Sequence, residues 1–491
     1  SLLQCANHRP DHQAKLNQNT PMSTPRRVVV VAGQSLSHLI SMLEFAAMCL
    51  RRGLAVTVAV PDPSLTAPAF RSTIGRYASR LPTLSVHSLP PPPALDAASA
   101  AAHPFIRMQA ASRSQAPVLR DFLHSLPDVH ALVADMFAAY LLDVAAEVGV
   151  PGHLFYCTGA ANLTVFLELP SFCSGSGGNL KDLGDAPVSF PGVPTMPASH
   201  LVDAVLDSGT DLYAAVLDVF GRMAAARGIL VNTFEALEGS AVAAIRDGRC
   251  LRGPAAPRVY CVGPLIAEGG AEKEEERHPC LRWLDAQPEG SVVYISFGSR
   301  CTVSLEQIRE MAKGLEMSGH RFLWVLRAPP AFAAAAGEPD ATLSLLPDGF
   351  LARTAGRGLV VTASWVPQMD VLRHASTGTF ITHCGWNSTL EAAATGVPMV
   401  CWPLEAEQWM NKVYIVEEMK VGVAVRGYNK PGVLVTADNV DATVRQIMDM
   451  ESEGRRAVVE RAMAVKESAA AAWKEGGSSC VAFVEFVKQM E

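Results

Sequence analysis

The sequence predicts an α/β protein of two doubly wound, Rossmann-like domains that face each other across a cleft. Three observations lead there. The chain has 491 residues, more than one hydrophobic core normally organises. Apolar strand-like runs alternate with segments of helical periodicity along most of its length, the pattern of parallel sheets with right-handed crossovers. The alternation breaks near residue 265, where a stretch rich in Gly, Glu and Lys reads as a linker.

In chain order, residues 27–32 (RVVVVA) form a buried strand. Residues 39–51 follow as a helix, with Leu39, Leu43, Ala46, Ala47 and Leu50 at helical spacing and Gly53 behind it. The next strand, 54–60, is stopped by Pro61, and further strands lie at 131–134 and 228–232. After the linker come a strand at 291–297, a helix at 305–317 and strands at 322–326, 359–362, 379–382 and 399–402. Residues 90–93, 171–178 and 337–341 read as loops, and 481–490 is amphipathic. The expected organisation is a disordered or upstream extension at 1–21, a first domain at 22–265, a linker at 266–279, a second domain at 280–475 and a closing helix at 476–491.

Composition narrows the partners. Hydrophobic residues make up 49% and charged residues 18%, as in a folded globular chain. The net charge of −7, without a dense Lys/Arg run, argues against nucleic acid or an acidic membrane. No run of 18 apolar residues is present, so no membrane span is expected, and residues 1–21 lack the apolar core of a secretory signal. Eleven scattered cysteines without a Cys-x-x-Cys spacing fit a reducing, cytoplasmic setting.

Ligands of parallel α/β sheets bind beyond the carboxyl ends of the strands. Those ends carry Ser37-His38, Asp135, Gly298-Ser299, Trp365-Val366-Pro367-Gln368, His383-Cys384-Gly385-Trp386-Asn387-Ser388 and Glu405-Ala406-Glu407-Gln408. Polar and aromatic groups thus collect at strand ends in both halves. The first loop lacks the Gly-x-Gly-x-x-Gly spacing and no Walker loop occurs, which leaves nicotinamide chemistry and ATP hydrolysis without support. No Asp-x-Asp pair with a supporting ligand set is evident, so no metal is implied.

The 44 residues from Trp365 to Gln408 read WVPQMDVLRHASTGTFITHCGWNSTLEAAATGVPMVCWPLEAEQ. This segment resembles the signature box of plant secondary-product UDP-glycosyltransferases, in its Trp-x-Pro-Gln start, its His-Cys-Gly-Trp-Asn-Ser centre, its Gly-Val-Pro turn and its closing Glu-Gln. The resemblance runs from about Met22 to the C-terminus, through His38, Trp283-Leu284-Asp285, Ser296-Phe297-Gly298-Ser299 and Gly476-Gly477-Ser478-Ser479.

It implies a GT-B fold, with an acceptor-binding first domain, a UDP-sugar-binding second domain and a final helix that crosses back to the first. It implies uracil stacking by Trp365 beside Val366, and ribose contacts from Gln368 and Glu391. Diphosphate contacts would come from His383, Asn387, Ser388 and Ser299, aided by free N–H groups where residues 387–395 begin a helix. Trp386, Glu407 and Gln408 would read sugar hydroxyls, and the final Gln goes in this family with glucose rather than galactose. Ser388-x-x-Glu391 is also a capping box, a purely structural alternative.

By the same resemblance, His38 is the general base and Asp135 the carboxylate that orients it, a pairing that follows triad logic. A helix N-terminus next to His38 would disfavour the imidazolium. The family usually has Gly where this chain has Ser37, which puts the loop geometry in question. The Cys157-Thr158-Gly159 turn is a further candidate for approaching the sugar. The expectation is a monomeric, inverting transferase that moves glucose from UDP-glucose to a small apolar acceptor such as a flavonoid or other phenol, without metal or cofactor. The acceptor would sit against residues 90–94, 137–140, Phe155 and 170–188. The alternatives are a non-catalytic UDP-sugar-binding member, a member using another sugar or a carbon nucleophile, and, more remotely, an oxidoreductase.

Overall fold

The computed structural model describes residues 25–33, 35–61, 68–90, 101–176, 179–251, 256–267, 277–333, 339–362, 366–430 and 432–490. Trp365, the extension at 1–21 and much of the linker lie outside them.

The first half forms a parallel seven-stranded sheet. Its members are β1 (Arg27–Val31), β2 (Ala55–Pro61), β3 (Ser85–Leu89), β4 (Val129–Asp135), β5 (Gly152–Tyr156), β8 (Gly228–Val231) and β9 (Arg258–Cys261), in the order β3-β2-β1-β4-β5-β8-β9. A small antiparallel pair, β6 (Pro187–Val188) and β7 (Met196–Pro197), stands apart. The second sheet is also parallel. It holds β10 (Val292–Ser296), β11 (Arg321–Val325), β12 (Gly358–Val361), β13 (Thr377–Thr382), β14 (Met399–Cys401) and β15 (Gly422–Ala424), in the order β12-β11-β10-β13-β14-β15. Strands covered on both faces read as apolar runs: β4 and β10 are almost wholly buried.

Strand order reverses once in each sheet, between β1 and β4 in the first and between β10 and β13 in the second. Such switch points open a crevice beyond the strand ends. The register pairs Val31 with Ala134 in one sheet and Ser296 with Thr382 in the other. The segments that follow these residues carry the candidate site.

The helix Ser478–Lys488 packs on the first sheet. Phe483 and Phe486 lie against Phe45, and Phe486 meets the edges of His153 and Tyr260. Ser479 Oγ donates to the Gly263 carbonyl at 2.6 Å, and Arg26 Nη1 to the Val487 carbonyl at 3.1 Å. The first and last segments of the fold are thereby joined.

Two loop readings are corrected. Residues 171–176 belong to the helix Ala160–Ser176, which runs through Pro170. That helix is buried along most of its first half, and Phe166 stacks on Phe220 of the helix Asp211–Met223 at 4.1 Å. Tertiary burial outweighs the local cost of the proline. The helix Pro339–Leu343 occupies part of the other expected loop. Among the described residues, no helix is long and apolar enough to cross a membrane.

Candidate active site

Asp135 is the last residue of β4, and His38 lies in the first turn of the helix Leu36–Arg51 that follows β1. The first switch point therefore brings them together, with His38 Nδ1 2.7 Å from Asp135 Oδ2. A carboxylate can only accept, so Nδ1 donates and the lone pair of Nε2 is left for other work. Asp135 Oδ1 accepts from the Phe137 N–H at 2.9 Å, which fixes the carboxylate plane. Gly33 leaves room for it, since a Cβ there would sit 2.5 Å from Asp135 Oδ2. The Asp135 side chain is 3% exposed and that of His38 16%, so the pair opens to the cleft on the histidine side.

Burial penalises the His38 imidazolium. The neighbouring Cys157 and Asp135 side chains, with the bond to Asp135, outweigh it and hold the pKa above the usual 6.5. Burial pushes the Cys157 thiol up to about 11, so it stays protonated at neutral pH. The direction is opposite to the one a helix N-terminus beside His38 would give. The Ser37 question also resolves. The described non-glycine residues with positive φ are Asp128, Cys384, Ala406 and Lys420; Ser37 is not among them, and a serine fits there without strain.

At the second switch point, Gln368 is a hub. Tyr294 Oη donates to its Oε1 at 3.1 Å, and its Nε2 donates to Ser388 Oγ at 2.9 Å and to Glu391 Oε2 at 2.6 Å. Burial raises the Glu391 carboxyl to about 7, against the pull of Gln368. The helix Trp386–Thr395 takes Gly385 as N-cap with no side-chain bond, so its first N–H groups are left for a ligand. Ser388 is third in that helix, and the capping-box alternative is not realised. His383 Nδ1 is buried without a partner, and burial lowers its pKa to about 4, which makes it a neutral imidazole. Gly298 lies directly against the His383 ring and brings the exposed Ser299 beside it.

Other residues of the box face the first domain. Trp386 is 3% exposed and donates its indole N–H to the Asn232 carbonyl at 2.8 Å. Asn387 Nδ2 donates to the Ser37 carbonyl at 3.0 Å, and its Oδ1 accepts from Ser41 Oγ at 3.1 Å. Asn162 donates to Asn411 Oδ1 at 2.6 Å. Gln408 is turned into its own loop. Its Oε1 accepts from the Leu404 and Glu405 N–H groups at 2.8 and 2.9 Å, and its Nε2 contacts Cys301 Sγ at 3.5 Å. Glu407 stays half-buried, within electrostatic reach of His38 and Tyr156 across the cleft. Val366 accepts the Gln368 N–H at 2.8 Å.

Sequence reasoning missed Tyr294, Glu238, Phe105 and Gln109. Glu238 is a buried carboxylate whose two oxygens accept from the Ala160 and Ala161 N–H groups at 2.8 and 2.9 Å. Phe137 stacks on His38 at 5.3 Å and meets the edge of Phe105, while Gln109 Nε2 donates to the Phe137 carbonyl at 2.8 Å. Phe155, expected in the acceptor pocket, is instead core, fully buried against Phe45. Tyr140 joins a network with Arg113 and Asp218, and residues 91–94 lie outside the described chain.

At Gly159 the two halves approach closely. A Cβ there would lie 2.6 Å from Glu238 Oε1 and 2.8 Å from the Trp386 ring. Gly159→Ala is expected to destabilise the protein by about 1–3 kcal/mol, seen as a lower melting temperature. An unchanged melting temperature would mean that this contact does not hold the halves together.

Comparison with known proteins now decides the family. A model of the UDP-glucoronosyl and UDP-glucosyl transferase family matches residues 259–454. Over 476 residues the chain is 37% identical to an anthocyanidin 5,3-O-glucosyltransferase from a Rosa hybrid cultivar, spanning 94% of this chain and 98% of that one. The chain belongs to the plant UDP-glycosyltransferases. Solved structures show the same GT-B architecture. The glycosyltransferase matches UGT2 of Phytolacca americana, complexed with UDP-2-fluoro-glucose and pterostilbene, at TM-score 0.83 and 33% identity over 95% of this chain and 99% of that one. It also matches a UDP-glucosyltransferase from Polygonum tinctorium capable of glucosylating indoxyl, in complex with 3,4-dichloroaniline, at TM-score 0.85 and 36% identity, with the same coverage.

Proposed function

We propose that this glycosyltransferase transfers glucose from UDP-glucose to a hydroxyl of a small phenolic acceptor, with inversion at the anomeric carbon. The observation that carries the proposal is the 2.7 Å His38–Asp135 pair, open to a cleft whose other wall is the Gln368–Ser388–Glu391 network. Flavonoid- and stilbene-type partners in the names of its relatives support a phenolic acceptor.

In this reading His38 Nε2 takes the acceptor proton as the acceptor oxygen attacks the anomeric carbon and the bond to UDP breaks. Asp135 stabilises the imidazolium that forms. Glu391 and Gln368 hold the ribose hydroxyls, with Trp365 stacked on uracil beside Val366. His383, Ser299, Ser388 and the N–H groups of the helix Trp386–Thr395 meet the diphosphate charge, so no metal is needed for the leaving group. Asn387, through its bonds to Ser37 and Ser41, aligns the diphosphate end with the catalytic helix. Glu407 faces the sugar, on a loop that Gln408 braces and Trp386 anchors. The aromatic wall of Phe137 and Phe105 suits a flat acceptor. We infer that the enzyme acts as a cytoplasmic monomer; ten described cysteines, none in a disulfide, fit a reducing compartment.

The test is mass spectrometry of the purified protein with UDP-glucose and a panel of flavonoids, chalcones and simple phenols, in the presence of a chelator. A product heavier by one hexose is expected. UDP binding without any product across the panel would overturn the acceptor class. A product formed faster from another UDP-sugar would overturn glucose.

A further inference from the structure

The carboxylate that holds His38 has a third neighbour, which the transfer reaction does not use. Cys157 follows β5 and donates its thiol toward Asp135 Oδ2 at 3.8 Å. Ligand atoms of His38, Asp135 and Cys157 all lie within 4.8 Å of one another, the one such His/Cys/carboxylate group among the described residues. Asp135 and Cys157 are buried, and His38 is the partly exposed member of the three.

Imidazole nitrogen, thiolate sulfur and carboxylate oxygen are the donors of a three-ligand zinc site that keeps a fourth position for water or a bound oxygen. A thiolate in the set favours a soft or borderline ion over magnesium or calcium. Charge favours it as well. A divalent ion with one carboxylate, one thiolate and a neutral imidazole sums to zero, which a poorly solvated pocket can hold.

We propose that His38, Asp135 and Cys157 form an inhibitory binding site for a zinc-type divalent cation. The ion bonds Nδ1, Sγ and a carboxylate oxygen. The thiol proton leaves to solvent, and a second proton leaves where the imidazole starts protonated. A neutral imidazole bonded to metal through Nδ1 carries its proton on Nε2. The lone pair that would accept the acceptor proton is then gone, and Asp135 no longer pairs with the ring. Only this inhibitory consequence rests on His38 being the base; the binding itself does not.

The experiment titrates the full chain with cobalt(II), which reports thiolate ligation by a near-ultraviolet charge-transfer band, and measures zinc affinity by competition with a chelator. One equivalent of cobalt is expected to produce the band, and Cys157→Ser to abolish it. His38→Ala, at a partly exposed position where folding is safer, is expected to weaken zinc by about tenfold or more. UDP-induced thermal stabilisation checks that each variant is folded. Zinc is expected to block transfer and a chelator to restore it. The absence of a band at stoichiometric cobalt overturns the site, as does a band that persists in Cys157→Ser, or zinc affinity unmoved in His38→Ala. Zinc bound there without loss of transfer overturns the inhibition and counts against His38 as base. Transfer lost in His38→Ala with no cobalt band overturns the metal site alone.

Discussion

Replacing His38 with alanine is expected to slow glucosyl transfer by about 10²–10⁴ while UDP affinity stays within about twofold. The variant removes the partly exposed imidazole paired with Asp135, and it leaves the Gln368–Ser388–Glu391 network untouched. Unchanged turnover would sink the base assignment. The pH profile carries the same claim from another side. In the proposed mechanism the reactive form is the neutral imidazole, and the folded pKa of His38 is raised above 6.5. In chelated buffer, kcat/KM therefore climbs as pH rises through that raised value. Asp135→Asn removes the charge that stabilises the imidazolium, so the ascending limb moves to lower pH even as the maximal rate falls. A limb that stayed in place would mean that Asp135 does not set the base.

The second large effect concerns the donor. Glu391→Ala is expected to weaken UDP by about 10–100-fold, since a buried carboxylate bond to a hydroxyl is worth roughly 1.5–3 kcal/mol. Calorimetry across pH gives the sharper reading. The Glu391 carboxyl is raised to about 7 by burial, and its ionised form is the stronger, charge-assisted acceptor for two hydroxyls. UDP affinity should therefore fall as pH drops below about 7. Glu391→Gln, which cannot titrate, should flatten that fall. A wild-type affinity independent of pH in this window would show that the carboxylate does not meet the ribose.

Much of this was legible in the chain because parallel sheets write their strands as apolar runs and their ligand-facing groups just after them. His38, Asp135, His383 and Gln368 stand at or just after strand ends, while Glu391, inside the helix Trp386–Thr395, came only with the family resemblance. What escaped has physical causes. The strand Ser85–Leu89 lies at the sheet edge and is largely exposed, so it has no apolar run to read. Residues 171–176 look like a loop by composition, yet they continue a helix whose Phe166 stacks on Phe220 of the helix Asp211–Met223. Trp386 and Asn387 read as donor contacts in the box, yet their side chains bond across the cleft to Asn232, Ser37 and Ser41, partners more than 150 residues away in the chain. Gln408 is spent on its own loop, which no spacing announces. Phe105 and Gln109 come to the pair from one helix, Pro104–Ser114, and are found only through contacts, as is the approach of Cys157 to Asp135.

The account turns on a direct displacement in which one base removes the acceptor proton and one bond to UDP breaks. Its most direct test is the anomeric configuration of the first product, read by proton NMR before any equilibration. UDP-glucose carries an α-linked sugar, so displacement with His38 as base gives a β-glucoside. An α-glucoside would contradict the mechanism, whatever the acceptor proves to be.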